Sequence, residues 1–142
     1  MGYLISTKGR YALRVILDLA ENGGEKPVPL KEIAERQDIS LKYLETIMPN
    51  MIKAELVVGS HGKGGGYRLS RPVKDYTVGE VLRVAEGPIV PVACLGCDST
   101  CDRAAFCTTL PIWKNLDNMI NKYLDSLSLE DLLKGEVTVD KQ

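Results

Sequence analysis

All four cysteines of this 142-residue chain lie in one stretch, ACLGCDSTCDRAAFC, residues 93–107. They are Cys94, Cys97, Cys101 and Cys107, spaced C-x2-C-x3-C-x5-C. Unrelated structural cysteines would not gather in a tenth of the chain. Three chemistries use such a cluster. Structural zinc needs four ligands in a tetrahedron, commonly two pairs a dozen or more residues apart; here only one pair is C-x2-C. An iron–sulfur cluster is larger, so thiols spread along a pliant loop reach it more easily. Gly96, Asp98, Ser99 and Thr100 make the loop pliant. A thiol–disulfide switch needs only two exposed thiols. The spacing ranks iron–sulfur first, zinc second and the disulfide switch third.

The rest of the chain must position this loop. Its length fits one small domain with an appendage. Net charge is −1, with 44% hydrophobic and 26% charged residues, the balance of a soluble globular chain. No apolar run reaches membrane-span length, and MGYLISTKGR lacks the apolar core of a signal peptide. The expectation is a cytoplasmic protein with no membrane partner, where thiols stay reduced. Residues 1–72 carry 11 Lys/Arg and 8 Asp/Glu; residues 73–142 carry 7 and 11. The basic half permits nucleic-acid binding without requiring it.

Ser6 and Thr7 are placed to cap a first helix with Tyr11, Ala12, Val15, Ile16, Leu19 and Ala20 on one face. Asn22-Gly23-Gly24 stops it. KEIAERQ forms a short second helix. Asp38-Ile39-Ser40 is a turn, with Ser40 capping a third helix that begins LKYLETI. Pro49 predicts a kink or break there. LVVGS and YRLS flank HGKGGG as a hairpin. Three helices followed by a hairpin is the order of a winged helix-turn-helix.

Thr77 and Glu80 predict a capping box for the helix VGEVLRVAE. Pro111 opens a long helix with Ile112, Leu116, Met119, Ile120, Tyr123, Leu124 and Leu127 at alternating spacings of three and four, a seam for pairing with a second helix. Ser128 caps a short LEDLLK helix. The expected organisation is a DNA-binding domain over 1–87, a cluster-binding loop over 88–110, a dimerisation helix and short helix over 111–134, and a frayed tail over 135–142.

In a helix-turn-helix the second helix enters the major groove. Its first turns here carry Ser40, Lys42, Tyr43, Glu45 and Thr46. Lys42 suits phosphate or guanine, Glu45 a cytosine amine and Thr46 a thymine methyl. His61 and Lys63 project from the glycine-rich wing. Lys8, Arg10, Arg14, Arg68 and Arg71 are candidate phosphate contacts. For any single lysine the plainer reading is a solvated surface charge. The one histidine, on a wing far in sequence from the cysteines, leaves no acid–base set, so an enzyme is not expected.

STKGRYALRVILDLA, IAERQDISLKYLETIMPNMIKAELV, GKGGGYRLSRP and YTVGEVLRVAEG together resemble the IscR/NsrR/CymR family of bacterial transcription regulators, from about Leu4 to Leu133 and closest to the IscR-like branch. The resemblance implies a mainly α, dimeric winged helix that binds a double-stranded operator. It also implies an iron–sulfur cluster, [2Fe–2S] before [4Fe–4S], held by Cys94, Cys101 and Cys107. Cys97 is then extra and a candidate fourth ligand. The family's biogenesis branch has a ligating histidine where this chain has Leu110. Its nitric-oxide-sensing branch has a carboxylate where this chain has Arg10. Asp98 and Asp102 are further candidates, and His61 stands where relatives carry arginine.

The expected function is a homodimeric regulator sensing iron–sulfur, redox or nitric oxide status. One alternative keeps DNA binding but substitutes zinc or a thiol switch. Another is a cluster-carrying protein-interaction module that does not read DNA.

Overall fold

The computed structural model describes residues 3–95 and 102–140. The first helix, α1, spans Thr7–Asn22 and buries Ala12, Val15, Ile16 and Leu19 at helical spacing. Ser6 is its N-cap, but its side chain makes no cap bond. Instead the Ser6 backbone N–H donates to the Glu86 carboxylate, eighty residues away. The side-chain cap expected from local sequence is absent, and the N-cap residue is held by a tertiary contact.

Helix α2 (Leu30–Gln37) buries Ile33 and Ala34 and ends at Asp38 in the left-handed conformation, φ 53°. Helix α3 (Leu41–Lys53) is capped by Ser40, whose Oγ accepts the Tyr43 N–H at 3.1 Å. Of the expected kink or break at Pro49, the break does not occur: α3 runs on through the proline. Glu45 and Pro49 are both exposed, so water can satisfy the carbonyl that loses its donor. Buried Leu44, Ile47, Met48 and Met51 hold the helix on either side. It closes with Leu56 N–H to Met51 C=O and Glu55 N–H to Ile52 C=O, both 2.9 Å. That is a Schellman motif with Glu55 at φ 61°, sealed by fully buried Leu56 and Met51.

Strands β1 (Val57–Ser60) and β2 (Gly66–Leu69) pair antiparallel, Val57 opposite Leu69 and Ser60 opposite Gly66. Val28, just before α2, exchanges two 2.8 Å hydrogen bonds with Tyr67 and anchors the wing to the rest of the N-terminal head (residues 3–87). Position 66 must be glycine, because a methyl there would overlap the Val28 carbonyl.

Helix α4 (Val78–Glu86) follows. The Thr77 side chain accepts the Glu80 N–H at 3.1 Å, but the reciprocal half of the expected capping box is missing. Glu80 pairs with Arg71 at 2.7 Å instead. Arg71, a candidate phosphate contact, also lies 4.4 Å over the Tyr76 ring.

Helix α5 spans Leu110–Asp125, with Pro111 in its first turn, where a missing N–H costs nothing. Helix α6 (Leu129–Leu133) has a complete capping box between Ser128 and Asp131. α6 returns to the head: Leu129 is fully buried in the main core, and its N–H donates to Tyr76 C=O at 3.1 Å. A leucine so buried contributes about 1.5–3 kcal/mol. Within the 111–134 segment, α6 therefore packs on the main core. A second, smaller core of Val78, Leu82 and Ile89 packs against Ile5 and Leu13 and against Ile120, Leu124 and Leu127.

Candidate DNA-reading face and cysteine site

The candidate reading face is built on α1–α3 and the hairpin. Buried Asp18 on α1 fixes α2: Arg36 donates to both its carboxylate oxygens, at 2.8 and 3.1 Å, and Gln37 donates at 2.8 Å. Burial alone would raise the Asp18 pKa. The Arg36 and Gln37 hydrogen bonds and the Arg36 charge outweigh it and hold the carboxyl below its ordinary value.

Lys42, Glu45 and Thr46 are exposed on α3, Tyr43 is half-buried, and His61 and Lys63 are exposed on the hairpin tip. Ser40 spends its acceptor on the cap. The Thr46 hydroxyl donates to Tyr43 C=O at 2.6 Å, leaving its methyl for apolar contact. Tyr43 meets Tyr11 edge-on, with ring centroids 5.5 Å apart. Arg14 stacks on Tyr11 at 5.3 Å and donates to the Gln37 side chain and backbone carbonyl. So Arg14 ties α1 to the end of α2, at the turn before α3. Arg10 is exposed and bonds Thr7 Oγ1 at 3.0 Å; Lys8 and Arg68 are half-buried.

The two described thiols lie at the foot of α5. Cys94 sits in a short 3-10 turn (Ala93–Leu95) and Cys107 ends another (Ala104–Phe106). Twelve residues separate them, yet both line one cavity of about 190 Å³ with Leu95, Leu110, Trp113 and Lys114. Thr109 hydrogen bonds, first from its side chain and then its backbone, hold the Cys107 thiol below its ordinary pKa, with help from Leu110 N–H and the Arg103 charge. Thiolate is the form that ligates metal. Cys97, Asp98 and Cys101 fall outside the described residues, and Asp102 is exposed. Among the described residues no three His, Cys, Asp or Glu side chains converge as a metal site. The donor chemistry fits a thiolate-bound group: two cysteines face one apolar-walled cavity, and Leu110 forms wall where the resemblance would place a histidine. A larger open groove behind the hairpin contains Arg71 and Glu80, already paired with each other.

Residues 5–135 match the Rrf2 family, iron-dependent transcriptional regulators. The chain belongs to the Rrf2 family. This Rrf2 protein is 38% identical over 136 residues to the HTH-type transcriptional regulator IscR of Sodalis glossinidius, covering 96% of this chain and 82% of that one. Among solved structures it is similar to T. potens IscR (TM-score 0.74, 37% identity, 100% and 96% of the two chains). It is also similar to CymR, the global cysteine regulator of B. subtilis (TM-score 0.73, 38% identity, 93% and 96%). As an Rrf2 winged helix it is a DNA-binding transcription regulator and not an enzyme. No described helix is long and apolar enough to cross a membrane.

Proposed function

We propose that this Rrf2 protein is a cytoplasmic homodimer whose operator affinity is set by an iron–sulfur cluster, [2Fe–2S] in the first instance, held by Cys94, Cys101 and Cys107. The observation that carries the reading is the meeting of Cys94 and Cys107 at one cavity despite their separation in sequence. When bound, the cluster supplies a redox- and ligand-sensitive centre. Cys97 is the candidate fourth ligand.

The α5 surface supports the dimer. Ile112, Leu116, Met119 and Tyr123, at i, i+4, i+7 and i+11, are 56%, 38%, 69% and 57% exposed. Such a stripe fits a second copy of the same helix. Ile120, Leu124 and Leu127 turn instead to the second core. Two recognition helices carrying Ser40, Lys42, Tyr43, Glu45 and Thr46 must meet major grooves roughly 34 Å apart, with Lys8, Arg10, Arg14, His61, Lys63 and Arg68 toward the backbone. A tenfold regulatory effect then needs only about 1.4 kcal/mol of differential binding.

The test is anaerobic purification and reconstitution, with iron and sulfide measured and Trp113 fluorescence followed. Trp113 lines the thiol cavity, so cluster assembly should quench it. A colourless protein without iron or sulfide, whose DNA binding is unchanged by Cys94→Ala, overturns the sensor reading. The lowered Cys107 pKa supports a second reading, a thiol switch without iron; a reversible fall in free-thiol count on oxidation identifies it, and metal analysis identifies zinc.

A further inference from the structure

Asn121 stands where three parts of the fold meet. From α5, its Nδ2 donates at 3.0 Å to the carbonyl of Ile89, the buried residue at the stem of the cysteine loop. The same nitrogen lies 3.0 Å from the Asp117 carbonyl and from Asp117 Oδ1. Its Oδ1 accepts from Arg83 Nη1 on α4 at 3.1 Å. Arg83 also pairs with Asp125. Gly79 makes the room: a methyl there would overlap Asp125 Oδ1 and lie 3.0 Å from Arg83 Nη1. At the far end of α4, Glu86 accepts the Ser6 N–H that begins α1, and a methyl on Gly9 would press against that carboxylate. A continuous set of contacts therefore runs from the loop stem, through Asn121 and Arg83, along α4 to α1.

We propose that Asn121 is a positioning residue that couples the cysteine loop to the setting of the head on α5. A carboxamide donates to the loop and accepts from the head at once. Aspartate cannot donate, and leucine can do neither. Ile89 is five residues before Cys94, so a change of state at the thiols is felt at its carbonyl. The half-buried amide must follow that carbonyl or leave it unpaired. Because Arg83 holds the other end, α4 follows too. The proposal rests on the reading that this loop is the sensor.

The experiment uses the full chain, wild type and Asn121→Ala, with an operator duplex selected from random sequence by the wild type. Operator Kd is measured before and after reconstitution with iron and sulfide. Hydrogen exchange is followed in the cluster-free proteins. The expected wild-type Kd ratio between the two states is about tenfold or more, falling to about twofold or less in Asn121→Ala. In the cluster-free variant, exchange should rise together at the loop stem (89–95) and the start of α1 (6–10). A merely structural role would lower Tm and leave the ratio unchanged. Equal ratios in the two proteins overturn the proposal. If the wild type takes up no iron, the sensor reading fails by itself and exchange decides the coupling: joint release supports it, release confined to α5 overturns it. Should Asn121→Ala not fold, Arg83→Gln breaks the other end of the link and carries the same expectations.

Discussion

The Tyr76 hydroxyl donates to the Leu56 carbonyl at 2.6 Å, fully buried beneath the wing. The same oxygen accepts the Ser70 and Arg71 N–H groups at 3.0 and 3.2 Å. One side chain thus joins the end of α3, the exit of β2 and the approach to α4. Tyr76→Phe takes this partner from the Arg71 N–H and leaves the Ser70 N–H and Leu56 carbonyl only their 3.3 Å bond to each other, so unfolding free energy should fall by about 1–3 kcal/mol. Denaturant titration measures it. A loss below about 0.5 kcal/mol would show that water replaces the hydroxyl.

Glu55 is a non-glycine residue in the left-handed region at the end of α3. Its side chain is exposed, and the Schellman bonds use only backbone. Glu55→Gly should therefore stabilise the fold by about 0.5–1 kcal/mol, seen as a raised Tm.

Asp18 gives acid sensitivity. Its folded pKa lies below the unfolded value, chiefly because Arg36 and Gln37 bonds overcome the effect of burial. Its contribution is complete above about pH 3.9 and is lost as pH falls through the depressed folded value. Asp18→Asn should flatten that acid limb and cost about 1–3 kcal/mol at neutral pH. Unfolding curves from pH 2 to 7 test both.

On α5 the exposed stripe predicts assembly. Leu116→Glu with Met119→Glu should yield a monomer in sedimentation and lower operator affinity by about tenfold or more, because each half-site then binds alone. A variant that still sediments as a dimer assigns the interface elsewhere.

Lys42→Ala with Lys63→Ala separates DNA reading from a protein-interaction role. Each lysine that neutralises a phosphate contributes about 0.9 to the salt slope of binding, so the double variant should lose about 2. An unchanged slope places both lysines off the duplex.

Much of this organisation is legible locally. Ser40 and Ser128 cap the helices that follow them because a hydroxyl reaches an N–H three residues on. The wing follows from two β-prone runs around glycines, and the clustering of the cysteines needs no structure at all. What misled were local signals with distant competitors. Glu80 has the spacing of a capping box, but Arg71 takes its carboxylate. Local sequence also does not show that Arg14, a candidate phosphate contact, is held in place by Tyr11 and Gln37. Nothing in the sequence distinguishes Asn121 from its polar neighbours, since its role depends on Ile89 and Arg83 arriving beside it.

The sequence by itself determined the elements, their order and the kind of chemistry four close thiols can do, because caps, periodicity and turns act over three or four residues. Tertiary structure decided which surfaces remain. It divided the apolar positions of α5, sending Ile120 and Leu124 inward, with Leu127 just beyond the helix, and leaving Ile112, Leu116, Met119 and Tyr123 exposed. It returned α6 to the head through Leu129 and brought Cys94 to the same cavity as Cys107. Periodicity gives a helix an apolar side; only packing against α4 settles how much of that side the chain itself covers.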